Sequence, residues 1–78
     1  MVPEYKPIYV VFSSSVPKLG GILKCRFLRM MNGSKSNLKC GQKLKTPPII
    51  ALYPVENNNL LYQAETNNSI YMVNVLKS

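Results

Sequence analysis

The sequence contains no histidine, no aspartate and no tryptophan, and its only acids are Glu4, Glu56 and Glu65. These absences exclude most hydrolytic and metal chemistry. A Ser–His–Asp triad, a histidine general base and a carboxylate-held magnesium site all lack parts. Two cysteines, Cys25 and Cys40, cannot complete a four-ligand zinc site. No lysine or cysteine stands beside a recognisable base that would make it a nucleophile. The chain is therefore read as a non-enzyme, with no catalytic residue, no metal site and no cofactor expected.

Long apolar runs are also missing. The opening MVPEYKPIYVVFSSS holds an apolar stretch of only Ile8 to Phe12, too short for a signal-peptide core. No run approaches the roughly eighteen residues of a membrane span. The expectation is a cytoplasmic protein with no membrane partner, in which Cys25 and Cys40 stay reduced. A secreted, disulfide-linked binder is the alternative.

What remains is small and basic. A chain of 78 residues is read as one domain, which buries only about 60–65% of its unfolded surface and is marginally stable. A hydrophobic fraction of 46% is that of a folded chain. The ten Lys and Arg against three Glu give a net charge of +7, which favours nucleic acid or another polyanion. Lysine and asparagine are AT-rich codons, so genome bias accounts for part of this balance. It does not account for the placement: nine basic residues and no acid lie between Tyr5 and Val55.

The patterning predicts an all-β fold of five or six strands, a small antiparallel barrel or sandwich built from hairpins. A β-branched and aromatic run suggests a strand near Ile8–Ser13, ended by the three serines, Pro17 and Gly20-Gly21. Asn32-Gly33 is the preferred pair for a two-residue type I′ hairpin turn. Such a turn sets Cys25 against Cys40, Phe27 against Leu38 and Arg26 against Lys39. Thr46-Pro47-Pro48 interrupts helix and central strand alike, so a hairpin half (8–45) and a meander half (49–76) meet at Pro47-Pro48. In the second half, pairing across residues 56–59 sets Tyr53 against Tyr62 and Val55 against Leu60. Pairing across Asn67-Asn68 sets Tyr62 against Val73 and Ala64 against Tyr71, which would put Ala51, Tyr53, Leu60, Tyr62, Tyr71, Val73 and Val75 on one face.

The first hairpin carries the candidate site. Its period of two gathers Lys24, Arg26, Lys35, Lys39 and Lys43 on the face opposite Cys25 and Phe27. Lysines on a sheet face also solvate it and protect its edges, but the absence of acids favours an anionic partner. Lysine meets phosphate as a point charge and arginine as a fork, so backbone recognition with little sequence reading is expected. Arg26 and Arg29 are expected to point to opposite sides of their strand. The tyrosines are read as core rather than as stacking platforms.

The functional expectation is a non-catalytic RNA-binding protein, a structural component of a ribonucleoprotein such as the ribosome, with rRNA and neighbouring proteins of that complex as partners. The alternative is a protein–protein interaction module of the viral or parasite inhibitor type, covering an acidic partner surface.

Overall fold

The computed structural model describes residues 6–31, 38–55, 57 and 60–76. Among them the chain is all-β, with no helix and so none long and apolar enough to cross a membrane. The strands are β1 (Ile8–Ser13), β2 (Lys24–Met30), β3 (Lys43–Lys45), β4 (Ala51–Pro54), β5 (Leu61–Glu65) and β6 (Ile70–Val75).

They form one sheet in the order β3-β2-β1-β6-β5-β4. Each half of the chain makes a three-stranded antiparallel meander, and the meanders meet at β1 and β6, which run parallel. The sheet is therefore mixed, not wholly antiparallel as expected. Parallel neighbours need a long crossover, and here the whole intervening chain is that crossover.

The sheet is open, since β3 and β4 are its two ends. On a flat sheet five strand spacings would separate them by about 24 Å. The six steps from Lys45 to Ala51 reach about 20–22 Å when fully extended. The sheet must therefore curl, and the segment 46–50 spans the gap without closing it. On the way Ile49 accepts from Gly20 N–H at 2.7 Å and donates to the Gly21 carbonyl at 3.0 Å. Thr46 fastens the start of the crossing. Its hydroxyl accepts from Leu23 N–H at 2.8 Å, and its own N–H donates to the Leu23 carbonyl at 2.9 Å. The proline pair follows this anchor, where neither residue has an N–H to lose.

The inner face holds a single core drawn from both meanders: Val11, Leu23 and Cys25 from the first, Ala64, Tyr71, Val73 and Val75 from the second, and Ile49 from the crossing segment. Tyr9, Leu44, Leu52 and Tyr62 pack against it. Burying each aliphatic side chain contributes about 1.5–3 kcal/mol. The buried polar residues Ser13, Thr46, Thr66 and Ser69 are all hydrogen-bonded, as buried polar groups must be to avoid a desolvation penalty.

The β5–β6 pairing agrees with the sequence reading, with Tyr62 opposite Val73 and Ala64 opposite Tyr71. Its turn is closed by Thr66, whose hydroxyl accepts from Ser69 N–H at 3.2 Å. Among the described residues Asn57 is the only non-glycine with positive φ, so Asn67 and Asn68 do not need the left-handed region.

Two other registers differ from expectation. In the β4–β5 pair Tyr53 faces Gln63 and Leu52 faces Ala64. This is a one-residue slip from the predicted pairing, and a slip of one exchanges the two faces of a strand. Leu52 takes the inner position, while Tyr53 is 53% exposed. In the β2–β3 pair Cys25 faces Leu44 and Arg26 faces Lys43, so the predicted pairing with Cys40 and Lys39 is displaced by four residues. The Asn32-Gly33 turn lies outside the described residues. Lys39–Gln42 form a turn at the head of β3. Gln42 N–H donates to the Lys39 carbonyl at 2.9 Å, with Gly41 at φ +88° in the third position, as a type II turn requires. Gly41 and Gln42 together oppose Phe27, which makes a glycine bulge at the head of β3.

Candidate functional site

The outer face of the β2–β3 hairpin is built from cations. Lys24 stands opposite Lys45 and Arg26 opposite Lys43, and all four are exposed. The slip of four residues is even, so the predicted faces survive although the partners change. Each directly opposed like pair destabilises the ladder by up to about 1 kcal/mol.

The predicted residues divide as follows. Lys24, Arg26 and Lys43 are brought together. Lys39 is exposed in the turn before β3, outside the ladder. Lys35 lies outside the described residues. Lys45, not singled out from the sequence, completes the cluster; the same period of two that selected Lys43 points to it.

Arg29 joins the same face, contrary to expectation. Val10 pairs with Arg29 while Val11 pairs with Phe27, leaving Leu28 as an extra residue in β2. The bulge shifts the alternation by one. Arg29 then lies across from Val10 and Arg26 across from Phe12, two positions apart on one side of β1.

Registers across the sheet define a continuous outer row: Lys43, Arg26, Phe12, Asn74 and Leu61. Phe12 is partly exposed in the middle of it. Beside this row an open groove of about 650 Å³ is lined by Phe12, Lys24, Arg26, Lys43, Lys45 and Leu76, among others. Leu76 is 51% exposed, and its N–H donates to the Ser13 carbonyl at 2.7 Å, which fixes it past the end of β6. One guanidinium nitrogen of Arg26 donates to the Gly41 carbonyl at 3.1 Å, which orients the side chain while leaving other donors of its fork for a ligand.

Glu65 is the only acid among the described residues. It accepts from Lys6 Nζ at 2.8 Å, and the same ammonium donates to the Thr66 carbonyl at 3.0 Å. Glu65 sits on β5, three strands from β2, or about 14 Å along the sheet. That exceeds the Debye length of about 8 Å at physiological salt, so it does little to neutralise the basic hairpin.

The two cysteines are both free and differ in setting. Cys25 is buried in the core and Cys40 is exposed in the turn. Burial pushes the Cys25 thiol up to about 11, because the thiolate would lose its hydration. Tyr71 is likewise raised by burial, against a side-chain hydrogen bond from Ser69 that lowers it.

No protein-family model matches this chain, and neither a curated protein nor a solved structure is significantly similar to it.

Proposed function

We propose that this chain is a non-catalytic RNA-binding protein that acts as a small structural component of a ribonucleoprotein such as the ribosome. The supporting observation is the pair of directly opposed cation pairs, Lys24–Lys45 and Arg26–Lys43, on a face with no neighbouring acid among the described residues. This arrangement costs the free protein stability and becomes favourable against phosphates, whose condensed counterions are released on binding. Lysine predominates over arginine in the cluster, which suits backbone contacts more than base reading. A cytoplasmic location accords with this reading.

The test is binding of a labelled RNA to the full chain between about 50 and 200 mM salt. Four or five phosphate contacts give a slope of log affinity against log salt near −3 to −4. Replacing Lys24, Lys43 and Lys45 with glutamine is expected to weaken binding and flatten that slope by about 2. Binding indifferent to both salt and substitution would refute the assignment. Co-sedimentation with large particles from the source cells, lost on RNase treatment, is the expected cellular counterpart.

A second reading is a protein–protein interaction module that covers an acidic partner surface with its basic face, and exposed apolar side chains away from that face would extend the contact. Leu19 and Ile22 are 66% and 55% exposed, and Ile50 is 52% exposed. The hydrogen bonds between Gly20-Gly21 and Ile49 join the two backbone segments that carry them. A protein contact there is compatible with an RNA contact on the hairpin.

A further inference from the structure

Resting on the RNA reading, we infer that the groove beside Phe12 takes unpaired nucleotides, with a base stacked on the Phe12 ring and its flanking phosphates on Arg26, Lys24 and the β3 lysines. The order of chemistry across the sheet carries this. The outer row runs from Lys43 through Arg26 to Phe12 and Asn74, placing one cation directly beside an aromatic ring on a central strand and a second one strand further out. A helical duplex presents phosphates outward and hides its base faces. A cation cluster alone would serve it as well as any other polyanion.

An aromatic ring adjoining the cations distinguishes the two substrates, because only an unpaired base has a free face to lay on it. The exposed Leu76 beside the same groove extends the apolar floor. An eight-residue acidic peptide would match the charge but offers no flat ring for Phe12. Val10, the neighbour of Phe12 on the same face, is buried at 7% exposure, so the apolar surface offered is centred on Phe12 rather than spread along β1.

The experiment compares three fluorescein-labelled probes on the full chain: an eight-nucleotide oligouridylate, its abasic counterpart, and an RNA duplex of equal length. The oligouridylate is expected to bind about tenfold more tightly than the abasic strand, and Phe12→Leu is expected to abolish that difference. The Phe12 ring proton resonances of the wild-type protein are expected to move on titration with oligouridylate and to stay in place with the abasic strand. This readout does not depend on the variant folding.

Equal binding of oligouridylate and abasic strand, with the ring resonances unmoved, would overturn the stacking inference while leaving the charge-based reading intact. No binding of any of the three probes at low salt would overturn both. Capture of an acidic protein that competes with oligouridylate, with the ring resonances unmoved by the oligonucleotide, would assign the groove to a protein partner instead.

Discussion

Tyr9 and Tyr71 stack across the parallel β1–β6 pair, with ring centroids 5.2 Å apart and planes inclined by 28°, while Tyr9 and Phe27 meet edge to face, with centroids 6.3 Å apart and planes inclined by 72°. Tyr9 thereby touches an aromatic from each meander. This triad sits where β1 and β6 meet, the one parallel seam of the sheet.

The aromatic seam is expected to be a main source of cooperativity. Tyr71→Ala should destabilise the protein by about 3 kcal/mol, read as a shift in urea midpoint. A double-mutant cycle of Tyr9→Leu and Tyr71→Leu should return a coupling of about 0.5–1.5 kcal/mol. A coupling of zero would mean that the rings contribute only buried area.

The β4 register makes a sharp pair of opposites. Leu52→Lys is expected to cost more than 2 kcal/mol, because it forces an ammonium against the core. Tyr53→Lys should stay within about 0.5 kcal/mol, as an exposed substitution does. Urea denaturation of both variants decides it, and the reverse order would restore the pairing expected from the sequence.

Charge and stability should move in opposite directions at Lys45. Lys45→Glu converts the Lys24–Lys45 repulsion into an attractive cross-strand pair and should stabilise the free protein by about 0.2–1 kcal/mol. The same change should weaken RNA binding. A variant that loses stability and keeps full affinity would argue that Lys45 merely protects the sheet edge.

The cysteines should separate cleanly by reactivity. At pH 8 a thiol reagent is expected to modify Cys40 within minutes and to leave Cys25 untouched until the protein unfolds, because thiolate and access are both needed. The raised Cys25 pKa also has a consequence for stability. The folded state holds its proton more tightly than the unfolded state, whose thiol titrates near 9.0. Stability is therefore unaffected well below pH 9 and falls as pH rises through the interval from about 9 to about 11. Cys25→Ala should remove that part of the alkaline decline.

Gly41 is expected to resist substitution for conformational reasons alone. A Cβ there would meet nothing within 4 Å, so Gly41→Ala loses about 1 kcal/mol through its positive φ rather than through a clash. Gly41→Asn should lose less, since asparagine tolerates that region. Thermal unfolding of the two variants orders them.

What the sequence by itself determined was alternation. The period of two in KCRF and in IYMVNV assigns Cys25 and Phe27, and Tyr71, Val73 and Val75, to the buried side whatever strand lies beside them. It likewise commits Lys24, Arg26, Lys43 and Lys45 to the other side. Because a shift of four residues preserves parity, the basic face was legible even with the wrong partner for Cys25. Where a local signal closed a turn directly, as at Thr66–Ser69, the pairing was legible too.

Only the tertiary structure decided the rest. The bulge at Leu28 brings Arg29 onto the face of Arg26, and a single extra residue leaves no mark in a composition or a period. The β4 slip is a difference of one residue in register, and the Asn-rich sequence between β4 and β5 does not specify a loop length. The parallel β1–β6 junction, and with it the row that sets Phe12 between Arg26 and Asn74, joins the two ends of the chain. Strand pairing at that separation is chosen by burial of both meanders in one core, a property of the whole fold that no local window of sequence contains.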